Sequence, residues 1–289
     1  MTGTLLSLGH GYCAQALAAL LIPQGWRVIG THRTTDGAAR LRSGGVEPLL
    51  WPERALGGAL AEATHLLCSI APGAGGDPAL AAFGPEISKA RHLAWAGYLS
   101  STAVYGDHAG GWVNEDMTVA PQDARGMARV AAEQAWRDCC ARAGVPCHVF
   151  RLSGIYGPGR APFDRLRAGT AQRIVKPGQV FCRIHVDDIA QALAASMMHP
   201  SQTGGLWNLA DDEPAAPQDV TAWAAELLGL KPPPEVAFET ADLSPMAASF
   251  YSASRRVRND RVKRDLGLRL RHPDYRSGLA AILAAEQGG

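Results

Sequence analysis

Leu5-Leu6-Ser7-Leu8-Gly9-His10-Gly11-Tyr12-Cys13-Ala14-Gln15-Ala16-Leu17-Ala18 is the stretch from which the rest of the chain can be read. A short apolar run ends in Gly9-x-Gly11-x-x-Ala14, and an Ala/Leu-rich helical pattern follows at once. That order predicts a strand, a tight glycine turn and a helix. Gly9 lets the backbone turn sharply, and Gly11 lets a pyrophosphate approach without meeting a side chain. Ala14, as small as the usual third glycine permits, lets helix pack on strand. The unpaired N–H groups and the positive dipole end of the helix then face the phosphates. Gly9, His10, Gly11, Tyr12 and Cys13 are therefore candidate contacts of a dinucleotide. The spacing alone also fits a plain turn; its place at the head of repeated strand–helix alternation favours the dinucleotide.

The next elements say which dinucleotide. The first helix is expected to run to Leu21, stopped by Pro23 and Gly25, and the strand Arg27–Thr31 ends in His32-Arg33-Thr34. An acid about 20 residues past the glycines would hold the ribose 2′-hydroxyl of NAD, whereas an arginine suits the 2′-phosphate of NADP. The slot holds His32 and Arg33, and Asp36 lies further into the loop. NADP is thus the expected cofactor, ahead of NAD, with a solvated Arg33 as the plainer alternative. A third strand over Val46–Trp51, a helix over Leu56–Ala63 and a fourth strand over Thr64–Ile70 follow. Ligands lie at strand carboxyl ends in doubly wound sheets, which makes Ser69, Ala71 and Pro72 neighbours of the adenosine and pyrophosphate.

Composition narrows the class. With 289 residues and a net charge of +1, the chain suits one large α/β unit with a smaller one, and its charge makes no case for a nucleic acid partner. No run of about 18 apolar residues suggests a membrane span, and Met1-Thr2-Gly3 leads into a strand rather than a signal segment, so a cytoplasmic location is expected. Cys13, Cys68, Cys139, Cys140, Cys147 and Cys182 form no C-x-x-C pair. Buried free thiols, and no metal, are expected from them.

Three later segments carry the chemistry. Trp95-Ala96-Gly97-Tyr98-Leu99-Ser100-Ser101-Thr102-Ala103-Val104-Tyr105-Gly106-Asp107 delivers a cluster of hydroxyls at a strand end. Arg151-Leu152-Ser153-Gly154-Ile155-Tyr156-Gly157-Pro158-Gly159-Arg160 and Arg183-Ile184-His185-Val186-Asp187-Asp188-Ile189-Ala190 follow. Together with the opening glycines, these motifs resemble those of the extended short-chain dehydrogenase/reductases, the NAD(P)-dependent sugar-nucleotide epimerases, dehydratases and reductases. The Ser-Ser-Thr-Ala-Val-Tyr-Gly-Asp form is similar to that of the atypical, YeeZ-like subgroup. The resemblance runs from Leu5 to about Leu270.

It implies a Rossmann-type α/β fold, a doubly wound parallel sheet with a smaller C-terminal α/β substrate domain. Residues 1–160, with 183–200 returning to them, are expected to form the dinucleotide-binding domain, and 161–182 with 201–289 the substrate-covering one. It implies that Ser101, with Thr102 beside it, orients the reacting oxygen, and that the nicotinamide lies between Ser100–Ser101 and the Leu152-Ser153-Gly154 loop. It places His185 near the substrate cleft; Arg160 is a candidate phosphate contact or a loop charge.

The family's Tyr-x-x-x-Lys pair, however, falls on Arg125 and Arg129. The tyrosine is the general acid/base, and a neighbouring lysine lowers its pKa from about 10. Arginine holds its proton at all ordinary pH, so Arg129 can replace the lysine as a cation but Arg125 cannot replace the tyrosine. Spaced four apart, the two share a helical face, which fits an oxyanion-stabilising site or a pair of surface arginines. Tyr105, Tyr98, Tyr156 and His185 are the other candidate proton donors, and each also has a packing role open to it.

Asp187 or Asp188 reads as the N-cap of a helix over Ile189–Met198. Arg255, Arg256, Arg258, Arg261, Lys263, Arg264, Arg269 and Arg271 form a basic cluster, either a solvated face or a seat for a phosphate. The last helix, Tyr275–Glu286, is expected to close the sheet. Two function classes stay open: an oxidoreductase or epimerase acting on a small hydroxyl- or carbonyl-bearing substrate, and a dinucleotide-binding sensor or scaffold without catalysis. The resemblance also implies a homodimer through the 125–143 helix.

Overall fold

The repeated strand–helix alternation folds, in a computed structural model that describes residues 2–53, 55–198 and 204–288, into one large parallel sheet with helices on both faces. The first half runs β1 (Thr4–Leu8), α1 (Tyr12–Leu21), β2 (Arg27–His32), α2 (Thr35–Ser43), β3 (Glu47–Leu50), α3 (Ala55–Glu62), β4 (His65–Cys68), α4 (Pro78–Ile87) and β5 (Trp95–Ser101). The second half runs β6 (Trp112–Val113), α5 (Ala124–Ala143), β7 (Cys147–Leu152), β8 (Gly154–Tyr156), α6 (Phe163–Arg167), β9 (Arg173–Val175), β10 (Arg183–His185) and α7 (Val186–Met197). It closes with β11 (Gly204–Leu209), α8 (Pro217–Leu227), β12 (Glu235–Ala237), α9 (Pro245–Phe250), β13 (Arg256–Val257), α10 (Asp260–Leu266) and α11 (Tyr275–Gly288).

The sheet order is β3-β2-β1-β4-β5-β7-β11, parallel throughout. The strands alternate faces, so successive residues feed different cores. Leu5, Leu67, Leu99 and Phe150 meet Leu17 of α1 and Ile189 and Leu193 of α7 on one side. Leu6, Leu8, Leu66 and Tyr98 meet Leu56 of α3, Ile87 of α4 and Trp136 of α5 on the other. A third apolar cluster, with Phe163, Leu166, Val220, Ala224, Leu279 and Ile282, joins α6, α8 and α11 into the smaller unit. Among the described residues no helix is long and apolar enough to cross a membrane, and all six cysteines are buried and free.

Three expectations need correction. The strand over 204–209, assigned from sequence to the smaller unit, pairs with β7 and is the edge strand of the main sheet. Trp207 and Leu209 are buried in the core shared with α1 and α7, which is what draws it there; the sequence boundary itself, at 200–201, lies outside the described residues. The last helix does not close the sheet but packs on α8 in the third cluster. The α7 cap is neither Asp187 nor Asp188: the His185 side chain accepts the Asp187 N–H at 3.2 Å, and Asp188 instead accepts the N–H groups of Arg271 and His272.

The basic cluster is largely a fastening seam. Arg255 and Arg256 donate to the carbonyls of Gly106 and Gly110, Arg258 stacks 4.5 Å over the Trp112 ring, Arg261 pairs with Asp116, and Lys263 with Asp212. These contacts tie β13 and α10 to the β5–β6 connection, to β6 and the turn after it, and to the segment after β11.

Candidate active site

The head of α1 is built by its neighbours as much as by its own glycines. Gly9, at φ +76°, donates its N–H to the Thr31 hydroxyl at 2.7 Å, and His10 donates to the Thr31 carbonyl at 3.3 Å. The Ser69 hydroxyl donates to the Gly9 carbonyl. A Cβ on Gly9 would lie 2.7 Å from Ile70 Cγ1 and 3.1 Å from the Ile70 nitrogen, so the fold itself demands glycine there. Gly11 differs. Its φ of −98° is open to any residue, and a Cβ on it would meet nothing nearer than the Gly9 carbonyl at 3.7 Å. The chain leaves this cradle free although nothing in its own packing requires it. As N-cap, Gly11 offers no side chain to the first-turn N–H groups, and no acid sits in that turn. Such an end attracts an anion, so the residues present fit a dinucleotide pyrophosphate.

His10 turns its ring beneath this turn, against Gly30 and Val46, where a Cβ on Gly30 would lie 2.7 Å from the ring. Neither ring nitrogen has a hydrogen-bond partner, and burial pulls its pKa down to about 4, keeping it neutral. Cys13 is buried under the first turn, its thiol pushed up to about 11 by desolvation. The Tyr12 hydroxyl donates to the Pro158 carbonyl at 2.9 Å, and the Arg160 guanidinium stacks 4.3 Å over the Tyr12 ring. Arg160, read from sequence as a phosphate contact or a loop charge, is therefore at the α1 head. Arg33 is exposed at the end of β2, immediately before Thr34, whose side chain caps α2. Ala71 is exposed just past the end of β4.

The hydroxyls at the end of β5 have distinct tasks. Ser100 is buried and donates to Glu133 Oε1 at 2.6 Å. Ser101 is half-buried; its oxygen accepts the Ala103 N–H at 3.1 Å, which leaves its proton uncommitted. Thr102 is buried and donates to the Leu152 carbonyl at 3.4 Å. Ser101 sits in register with Leu152, so the Leu152-Ser153-Gly154 segment adjoins it across the β5–β7 pair. Ser153 is buried with an unpartnered Oγ.

Tyr105 is placed differently from its expected role as a proton donor. It is fully buried, donates its hydroxyl to Asn208 Oδ1 at 2.8 Å, and its pKa is raised chiefly by burial. Tyr98 and Tyr156 are likewise buried, with raised pKa values. The arginine pair also divides. Arg129 turns onto the sheet and donates to the Leu99 carbonyl at 2.6 Å and to the Tyr98 hydroxyl at 3.2 Å, stapling α5 to β5. Arg125, one turn earlier, is exposed and makes no such bond among the described residues. They are thus one free cation and one anchored one.

Sequence reasoning passed over the centre of the buried network. Arg151 makes a two-pronged ion pair with Glu133, at 3.0 and 2.8 Å, with both side chains nearly sealed from water. Arg151 also stacks 4.9 Å over Tyr105, and Asn208 takes up Glu115 through its N–H at 2.8 Å. The available signal was Glu133 one further turn along the Arg125–Arg129 face, with Arg151 heading the Leu-Ser-Gly segment. His185, 2% exposed, meets Tyr156 edge-on and lies against His272, a residue the sequence did not single out. Burial first, and then His272, hold its pKa down at about 4.

Comparison with known proteins places this geometry. The NAD dependent epimerase/dehydratase family model matches residues 87–210, which span α5, β7, α7 and β11. Protein YeeZ of Escherichia coli K12 is 28% identical over 238 residues, 78% of this chain and 84% of that protein. The structure of a functionally unknown conserved protein from Silicibacter pomeroyi is 57% identical, covers 98% of this chain and 99% of its own, and superposes with a TM-score of 0.92. The Bacillus cereus UDP-glucuronic acid 4-epimerase, in complex with UDP-glucuronic acid and NAD, shares the fold at 17% identity, 99% coverage of both chains and a TM-score of 0.76. The chain thus carries a match to the NAD dependent epimerase/dehydratase family over residues 87–210 and is similar to Protein YeeZ over 78% of its length.

Proposed function

We propose that this protein is an oxidoreductase or epimerase that binds a nicotinamide dinucleotide across the head of α1 and acts on a small hydroxyl- or carbonyl-bearing compound at Ser101. The observation that carries this reading is Gly11, a glycine that neither its φ nor its packing requires, set at an uncapped helix end. The cofactor supplies hydride transfer. The chain supplies the rest. Its first-turn N–H groups and Arg160 receive the pyrophosphate, and Ser101, whose oxygen is already held by the Ala103 N–H, directs its proton to the substrate oxygen. Arg125 adds positive charge at an exposed position where negative charge develops. Arg33, exposed at the end of β2, supports NADP over NAD.

The test uses a substitution the fold tolerates. Gly11→Val is expected to keep the unfolding temperature of the parent while losing dinucleotide binding in a fluorescence titration; unchanged binding overturns the reading. Arg33→Ala is expected to weaken NADPH and leave NADH as it was. A sensor or scaffold is the second reading, favoured by the arginine at position 125 where the family has its tyrosine. Loss of NADPH absorbance against a panel of carbonyl compounds separates the two.

A further inference from the structure

Three metal-ligating side chains converge at the start of α7 from two distant parts of the chain. His185 ends β10, Asp187 lies in the first turn of α7, and His272 precedes α11. Asp187 Oδ2 is 3.7 Å from His185 Nδ1 and 3.6 Å from His272 Nε2, and the three ligand atoms all lie within 4.8 Å of one another. The two imidazole centroids are 4.0 Å apart. These separations exceed the roughly 2.7–3.2 Å of a hydrogen bond. The two distances to Asp187 approach the edge of a tetrahedron around a single ion, since bonds of about 2.0–2.1 Å set ligand atoms roughly 3.3–3.5 Å apart.

The surroundings hold the three in place. Asp188 accepts the N–H groups of Arg271 at 2.7 Å and His272 at 3.1 Å, so the segment bearing His272 is pinned to α7. His185 is 2% exposed, and its Nε2 has no hydrogen-bond partner. Its Nδ1 takes only the 3.2 Å bond from the Asp187 N–H, a long contact that an ion can displace. The side chains of His272 and Asp187 are 13% and 44% exposed, which gives an ion a way in.

We propose that His185, Asp187 and His272 form a binding site for a divalent transition-metal ion of the zinc class, with three protein ligands and a fourth position open. Two imidazoles and one carboxylate suit zinc, cobalt or nickel; magnesium and calcium prefer all-oxygen sets. The site adjoins the dinucleotide cradle. Gly157 is wedged between Tyr12 and Val186, where a Cβ would strike the Tyr12 hydroxyl and Val186 Cγ1.

The experiment titrates Co²⁺ alone into the full chain after chelator treatment, reading the visible bands of tetrahedral cobalt. The parent is expected to develop those bands to one equivalent and to lose them on adding Zn²⁺. His272→Ala and Asp187→Asn, both outside the sealed core, are each expected to weaken Co²⁺ binding about a hundredfold. His185→Ala is avoided because His185 caps α7. Absence of the bands in the parent overturns the proposal, as does their retention at parental affinity in either variant.

Discussion

The phenol of Tyr105 lies between Asn208, which accepts its proton, and the Arg151 guanidinium stacked over its ring. Both partners are buried, so the hydroxyl works in a dry interior where an unpaired polar group is expensive. Removing it leaves Asn208 Oδ1 short of a donor, a loss of about 1–3 kcal/mol. Tyr105→Phe is therefore expected to lower stability by that amount in urea unfolding and to leave dinucleotide affinity unchanged. A change in affinity at constant stability would return the residue to the site. Arg160 makes the complementary case. Stacked on Tyr12 at the α1 head and otherwise exposed, it has little folding role to lose. Arg160→Ala is expected to weaken NADPH binding roughly tenfold, the scale of about 1.4 kcal/mol for one charged contact, with stability within about 0.5 kcal/mol of the parent.

Helix α5 shows what one element's sequence disclosed and what it hid. Its existence, its Arg125–Arg129 face and the missing tyrosine were all legible, because helical spacing sets which side chains share a face. Which way that face looks was not legible, since it depends on how closely the helix start approaches the turn after β5. Gly126 sets that approach: a Cβ there would lie 2.7 Å from Pro121 Cβ and 3.1 Å from the Ala103 carbonyl. With the start so close, Arg129 reaches the Leu99 carbonyl and Glu133 reaches both Arg151 and Ser100. The same limit applied to β11. Its strand character was readable, but its membership of the main sheet depended on Trp207 and Leu209 finding the α1–α7 core, which is a tertiary fact. The Glu133–Arg151 pair yields a prediction for the element. Breaking a sealed ion pair from one side leaves a lone buried charge. Glu133→Gln is expected to cost about 3–5 kcal/mol, read as a lower denaturation midpoint; a loss below about 1 kcal/mol would mean that water reaches the pair.

Across the whole molecule, buried histidines and a buried carboxyl make stability depend on pH in opposite directions. His10, His65 and His185 are each held neutral by burial, with pKa values of about 4 against 6.5 when unfolded. The unfolded chain takes up those protons first as pH falls. Their contribution is thus complete above 6.5 and is lost between 6.5 and about 4. Asp211 runs the other way. Burial, outweighing the Arg183 charge and the Glu213 backbone N–H, raises its pKa to about 8. The folded chain keeps that proton longer than the unfolded one, so its contribution is complete below 3.8 and is lost as pH rises to about 8. Asp188 and Glu115 shift in the same direction as Asp211. Three histidines outweigh the carboxyls on the acid side, while above 6.5 the histidine effect is spent and only the carboxyl effect continues. Thermal unfolding across pH 4 to 9 is therefore expected to show greatest stability near pH 6.5, with a shallower decline toward pH 8 than toward pH 4. Asp211→Asn stays neutral throughout, so it should match the parent near pH 4 and exceed it by a growing margin up to pH 8. A parent curve flat from 6.5 to 8, or a variant that declines in parallel with it, would mean that Asp211 is already ionised at neutral pH and held so by Arg183.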